Sequence, residues 1–224
     1  YDDAIDGFSK TIELDPENVN AFTNRGATFV KKKKYEEALA DFNKSLELEN
    51  DQYLTYFRRG QIHQRLKNIE EAIADYSAVL ELKPTYKNAV ISRAKLYFSL
   101  DQYSEAFADF ASYAELAPTK TDGYFYCGVV KSVEKDYAAA IPFYTKTLEV
   151  EANDVKALEK RAYAYYASES YDLSVADYTT LLENNEVSAE WLTLRANGKL
   201  KLEQVEEAMT DLNQAIETDA SYAE

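Results

Sequence analysis

Residues 19–52 read VNAFTNRGATFVKKKKYEEALADFNKSLELENDQ, and residues 53–86 read YLTYFRRGQIHQRLKNIEEAIADYSAVLELKPTY. The two segments align without a gap. They share an arginine and a glycine at the seventh and eighth places, an alanine at the twentieth, and an aspartate and an aromatic residue at the twenty-third and twenty-fourth. Stepping on by 34 residues from the glycine gives a small residue every time: Gly26, Gly60, Ala94, Gly128, Ala162 and Ala196. The chain is therefore an internal repeat with a period of 34 residues.

Within each period the apolar residues have helical spacing. Tyr56, Gly60 and His63 lie at i, i+4 and i+7, on one face of a predicted first helix, and Ala72 and Tyr76 mark a second helix after a turn. Neither helix can bury its apolar face alone, but stacked helix pairs can. The sequence therefore predicts an all-α fold, an α-solenoid.

A period of 34, with small residues at places 8 and 20 and a large residue at place 24, resembles the tetratricopeptide repeat (TPR). The segments AFTNRG (21–26) and YEEAL (35–39) are similar to the two helices of that family. The resemblance implies a right-handed superhelix of antiparallel helix pairs, a single array over 1–224. Residues 1–18 would be the second helix of a truncated repeat, and the full repeats, numbered one to six, would cover 19–52, 53–86, 87–120, 121–154, 155–188 and 189–222. Because both ends fall inside a repeat, we expect a fragment of a longer array.

The composition excludes several classes of function. The 224 residues include 40 Asp and Glu against 25 Lys and Arg, a formal net charge of −15. Such a balance argues against nucleic-acid binding, and no apolar run is long enough to predict membrane insertion. The one cysteine, Cys127, and the one histidine, His63, make neither a disulfide nor a metal site. A single free cysteine favours a reducing cytosol without deciding the compartment.

An arginine at place 7 and an aspartate at place 23 occur together in five repeats, and repeat four replaces both, with Cys127 and Phe143. Because the two are lost from the same repeat, we predict that they contact each other within a repeat. The arginines could instead bind a ligand, but place 7 lies on the core stripe, which favours structural ion pairs. Repeat four also carries Pro142 inside its second helix, where we expect a lost hydrogen bond and a kink.

The sequence contains no catalytic arrangement that we could identify. Paired acids such as Glu36 and Glu37 recur at the start of second helices, where negative charge complements the helix dipole. The lysine run at 31–34 is interpreted as a solvated surface. No glycine-rich phosphate loop is present. We therefore predict that the chain is not an enzyme and takes no cofactor.

The first helix of each repeat has a further face at places 2, 5, 6, 9, 12 and 13, which we call the first-helix face. In TPR proteins this face lines the concave groove, an assignment that comes from the resemblance. It carries seven basic and three acidic residues, together with aromatic rings, a combination that suits an acidic partner segment with apolar anchors. The predicted contacts are Phe57, Arg58, Arg65, Lys95, Phe98, Phe125, Tyr126, Lys160, Tyr163 and Tyr166.

We therefore predict a protein–protein interaction scaffold or adaptor whose groove binds a partner peptide or segment. The alternative is a regulatory or substrate-recruiting arm of a larger enzyme with its catalytic domain outside this sequence. Self-association through the repeat ends is a third interpretation. The carboxylate clamp of co-chaperone TPR proteins is not matched, because Leu54 stands where the clamp has a lysine.

Overall fold

The computed structural model describes residues 1–219, and these residues form thirteen α-helices and no strand. The helices are α1 Asp2–Leu14, α2 Val19–Lys31, α3 Tyr35–Leu48, α4 Tyr53–Arg65, α5 Ile69–Leu82, α6 Lys87–Ser99, α7 Tyr103–Leu116, α8 Thr121–Val133, α9 Tyr137–Val150, α10 Val155–Ala167, α11 Tyr171–Asn184, α12 Ala189–Lys201 and α13 Val205–Thr218.

The helices keep the period of the sequence. First helices α2 to α12 begin every 34 residues, and each is followed by a second helix of 14 residues. The predicted all-α solenoid of helix pairs is confirmed. The end of the sixth predicted repeat, at 220–222, lies outside the described residues.

By its packing the chain divides into two units, Tyr1–Asp109 and Phe110–Glu224, with the division inside α7. In the first unit each helix from α1 to α6 packs on its neighbours in sequence, and in the second unit the helices from α8 to α13 do the same. This nearest-neighbour packing is that of a solenoid. None of the helices in the described part of the chain is long and apolar enough to cross a membrane.

The recurring small and aromatic residues form the core between the paired helices. Ala72 and Tyr76 are fully buried in the first unit, as are Ala140 and Tyr144 in the second. In repeats one, two and four the glycine at place 8 lies against the aromatic ring at place 24. A Cβ atom on Gly128 would stand 2.6 Å from the Tyr144 ring, so a larger residue there would require the ring or its helix to shift.

Each first helix of the six repeats ends in the same turn. The residue at place 15 has a positive φ, between 57° and 64°, and the next N–H donates to the carbonyl five residues earlier, as in Lys34 to Phe29 at 2.9 Å. This is a left-handed helix cap, which glycine normally occupies. None of the six is glycine: Lys33, Lys67, Asp101, Lys135, Glu169 and Glu203.

Pro142 does not interrupt its helix. Helix α9 runs unbroken through the proline and is 14 residues long, like the other second helices after α1. Pro142 and Ala138, whose carbonyl would have accepted the missing N–H, are both exposed, so water can replace the lost hydrogen bond.

Candidate interaction surface

The place 7 arginines are paired inside the protein. In each of the five repeats, Nε and Nη2 of the arginine donate to the aspartate carboxylate 16 residues later, over 2.6–3.2 Å. The predicted contact within a repeat is therefore confirmed. The pairs are Arg25–Asp41, Arg59–Asp75, Arg93–Asp109, Arg161–Asp177 and Arg195–Asp211.

Each of these arginines also has a third contact, which the sequence analysis missed. Its Nη1 donates to a side-chain oxygen of the preceding repeat, over 2.7–3.2 Å. A signal was present in the sequence, because place 25 holds Ala111 before Cys127 but a hydroxyl or amide residue before each arginine. The five acceptors are Ser9, Asn43, Ser77, Thr145 and Thr179.

The first unit has a cavity of about 480 Å³ on the first-helix face. It is lined by residues of α2 and α4, together with Phe8 of α1 and Tyr35 of α3. The structure therefore brings the predicted contacts Arg58 and Arg65 into one cavity. The full lining is Phe8, Asn24, Ala27, Thr28, Val30, Lys31, Tyr35, Arg58, Gln61, Ile62 and Arg65, and we call it the cationic cavity.

The three cations of the cationic cavity differ from the core arginines in having no acidic partner. The Arg65 guanidinium donates to the Tyr35 hydroxyl at 3.3 Å and lies over its ring, and Lys31 lies over the ring of Tyr1. Among residues 1–219, no carboxylate forms an ion pair with Lys31, Arg58 or Arg65. No acidic residue lines the cavity either. Its positive charge is therefore available to a ligand.

Other predicted contacts in the first unit contribute to packing. Phe57 is half-buried, with its ring centroid 5.0 Å from that of Tyr86 and 5.7 Å from that of Tyr76. Phe98 is also half-buried, and its ring lies 5.7 Å from Tyr103. Lys95 is exposed on the same face. The aromatic rings of this unit therefore offer only part of their surface to a partner.

In the second unit the predicted contacts line two smaller cavities. One, of about 180 Å³, contains Phe125 and Tyr126, and the other, of about 190 Å³, contains Lys160 and Tyr163. Tyr166 is half-buried outside both, with its ring 5.4 Å from that of Tyr171.

The rings of the second unit also pack on one another. The Tyr126 ring stacks on Phe110 at 4.9 Å, and Phe125 lies 6.0 Å from Tyr144. Tyr163 is 45% exposed with its edge towards Tyr137. It is therefore the most accessible aromatic residue among the predicted contacts.

The net positive charge of the first-helix face is confined to the first unit. The face residues of repeats one to three include four basic and no acidic residues, whereas those of repeats four to six include three of each. The first set is Lys31, Arg58, Arg65 and Lys95, and the second is Lys156, Lys160, Lys201, Asp122, Glu159 and Glu190. The two units therefore present chemically different faces.

The other chemically reactive side chains singled out from the sequence, Cys127 and the lysine run at 31–34, are explained by their structural surroundings. Cys127 is fully buried, and burial raises the pKa of its thiol to about 12, so no thiolate is present at neutral pH. Of the lysine run, Lys32 pairs with Asp2 and Lys34 with Glu37. The described residues contain no group of three or more His, Cys, Asp or Glu side chains that could hold a metal ion.

Sequence profiles described as tetratricopeptide repeat match residues 19–51, 53–86 and 159–224, more than half of the chain. The chain belongs to the tetratricopeptide-repeat family. A comparison with curated proteins finds no match.

Solved structures similar to this chain share its fold at low sequence identity. The C-terminal part of a TPR repeat-containing protein from Cytophaga hutchinsonii is 17% identical with a TM-score of 0.76, over 98% of this chain and 91% of that one. YrrB, described as a TPR protein with an unusual peptide-binding site, is 20% identical with a TM-score of 0.70, over 81% and 95%. MamA is 20% identical with a TM-score of 0.68, over 75% and 92%.

Proposed function

We propose that this protein binds a segment of another protein on its first-helix faces. The fold is that of a protein-interaction scaffold, and the observation that carries the finer proposal is a contrast between two sets of cations. All five core arginines are paired with aspartates, whereas Lys31, Arg58 and Arg65 share a cavity and have no carboxylate partner within residues 1–219. Unpaired cations at an accessible cavity suit an acidic ligand.

The segment that fits these faces is acidic and carries apolar anchors. The cations of the cationic cavity lie in the first unit, while Tyr163 and the partly exposed Phe125 and Tyr126 offer aromatic surface in the second. Aromatic and arginine side chains at cavities are the residue types that dominate binding energy at protein interfaces. The description of YrrB as peptide-binding supports a peptide segment as the class of ligand.

The test is site-specific photo-crosslinking in a lysate of the source organism. A photoreactive phenylalanine analogue is placed at Tyr163 or Lys95 on the first-helix faces, and at Leu173 on second helix α11 as an equally exposed control. We expect the same partner to be crosslinked from Tyr163 and Lys95 but not from Leu173. Crosslinking from Leu173 alone would indicate that the partner binds the second helices and would contradict the proposal.

A further inference from the structure

We propose that the cationic cavity is the subsite that recognises acid, and that it takes two acidic side chains of the partner segment. This inference rests on the proposed function and deepens it. It assigns the preference for an acidic partner to one place in the first unit, leaving the second unit to bind apolar side chains.

The number of acidic side chains follows from the donors present. A guanidinium holds one carboxylate through two parallel hydrogen bonds, so Arg58 and Arg65 can each bind one. Lys31 acts as a point charge beside them. Arg58 is half-buried, so its charge is less screened by water than that of an exposed lysine, and a carboxylate that reaches it gains more.

The spacing of the acids follows from helix geometry. Arg58 and Arg65 lie seven residues apart on α4, hence on one face and about 10 Å apart along the helix axis. An extended polyproline-type segment brings residues i and i+3 to one side at about 9 Å. We therefore expect two Asp or Glu residues about three positions apart.

The apolar part of the cavity fixes what else the segment needs. Phe8, Val30 and Ile62 line it beside the cations, and its volume of about 480 Å³ lies within the range of about 300–1,000 Å³ that is usual for ligand cavities. Asn24 and Gln61 add amide groups that can bond a peptide backbone. An acidic segment with an apolar residue between or beside its acids fits this lining.

The second unit has fewer cations for the same discrimination, since its cavity with Lys160 contains that single cation and no acidic residue. Its first-helix face carries equal numbers of basic and acidic residues, and the cavity that contains Lys156 also contains Asp122 and Asp154. A carboxylate approaching that cavity meets charge of both signs. Lys156 and Lys201, which lie on this face and are not among the predicted contacts, therefore provide controls for Arg58 and Arg65.

The experiment is selection from a library of random 12-residue peptides displayed on phage with their C-termini joined to the coat protein. Every carboxylate offered by such peptides belongs to a side chain. Selections use the unaltered protein, Arg58→Gln/Arg65→Gln, and the control Lys156→Gln/Lys201→Gln, each checked for folding by circular dichroism. We expect Asp and Glu to be enriched by the first and third proteins and not by the second.

A selected peptide is then synthesised with an amidated C-terminus, beside its Asn/Gln counterpart. We expect the amide-for-acid exchange to weaken binding to the unaltered protein about tenfold or more, since hydrogen bonds to charged groups are lost. The Arg58→Gln/Arg65→Gln variant should bind both peptides alike.

The outcomes separate this inference from the proposed function. Selected peptides without acid enrichment, or enrichment that survives in Arg58→Gln/Arg65→Gln, overturn the acid subsite while leaving face binding intact. Binding that requires a free C-terminal carboxylate on the synthetic peptide also overturns it. Selection of no peptide by the unaltered protein counts against the proposed function itself.

Discussion

The Arg93 guanidinium and the Asp109 carboxylate are joined by two hydrogen bonds, Nε to Oδ2 at 2.8 Å and Nη2 to Oδ1 at 2.9 Å. The remaining nitrogen, Nη1, donates to Ser77 Oγ at 2.9 Å. These three residues lie on α6, α7 and α5, so one side chain links three consecutive helices. Asp109 is only 8% exposed and therefore depends on the guanidinium in place of water.

Replacing Arg93 by alanine should reduce the free energy of unfolding by about 3 kcal/mol, because Asp109 would remain buried without a counter-charge. Removing one partner of a buried ion pair usually costs about 3–5 kcal/mol. We expect the lower value because the side chains of Arg93 and Asp109 remain 20% and 12% exposed to solvent. Urea denaturation measures the loss. The control Arg58→Ala, which breaks no ion pair in the described chain, should change stability by no more than about 0.5 kcal/mol.

Repeat four supplies a second control for the same ion pair. The variant Arg93→Cys/Asp109→Phe/Ser77→Ala installs the residues found at the corresponding places around repeat four, namely Cys127 and Phe143 of that repeat and Ala111 of the preceding one. Because no buried charge is left unpaired, it should lose less stability than Arg93→Ala despite carrying three changes. A larger loss in the triple variant would show that packing, and not an unpaired carboxylate, accounts for the single substitution.

Stability should fall in acid partly through Asp211. Burial opposes its ionisation, but hydrogen bonds from Arg195 and Lys199 outweigh burial and hold the pKa of Asp211 below its ordinary value. The unfolded chain therefore takes up a proton more readily, at about pH 3.9, so this contribution is present above that pH and is lost as the pH falls through the folded-state value.

Urea titrations between pH 5 and pH 2.5 test this contribution. Asp211→Asn should lose less stability over the interval than the unaltered protein, whereas exposed Glu183→Gln should follow the unaltered protein. Equal losses for Asp211→Asn and the unaltered protein would contradict the assignment.

Removing the hydroxyl group of two buried tyrosines should change the free energy of unfolding in opposite directions. The Tyr76 hydroxyl donates to Gln64 Oε1 at 2.8 Å, whereas the Tyr178 hydroxyl has no hydrogen-bond partner within residues 1–219. Tyr76→Phe should cost about 1 kcal/mol, and Tyr178→Phe should raise the free energy of unfolding by up to about 1 kcal/mol, since it removes an unsatisfied buried group. Thermal unfolding of the two variants compares them directly.

The helix caps offer a stabilising substitution. Lys67 has a φ of 64°, a conformation that costs a residue with a side chain about 1–2 kcal/mol. Lys67→Gly should therefore raise stability by about 0.5–1 kcal/mol. The neighbouring Asn68, at φ −82°, is the control, because glycine there adds flexibility without relieving strain. Loss of stability in Lys67→Gly would contradict the account of the turn.

The sequence predicted the helices well because the same helical spacing of apolar residues occurs independently in every repeat. Agreement between repeats also paired each place 7 arginine with the correct aspartate, through their joint loss at Cys127 and Phe143. The link to the preceding repeat was missed because Ser, Asn and Thr at place 25 look like ordinary surface residues. Only the geometry of Nη1 shows that these side chains act as acceptors.

The candidate site was less predictable than the fold. Position on a helix face places Arg58 and Arg65 together, but it does not show that Phe57 packs against Tyr76 and Tyr86. Ring orientation depends on neighbouring helices, and the first-helix face alone cannot give it. The net positive charge of the first-helix face could be assigned to the first unit only after the structure had divided the chain into two units, because a count over the whole face does not show where the charges lie.

The contact of each core arginine with the preceding repeat has a consequence for how unfolding spreads. In a solenoid the coupling energy between adjacent repeats decides whether one melts with the next. The arginine adds a hydrogen bond to that coupling wherever a Ser, Asn or Thr of the preceding repeat accepts one. Ala111 and Cys127 cannot form this hydrogen bond. We therefore expect the second unit to have reduced cooperativity at α8, where partial melting of the chain can be arrested.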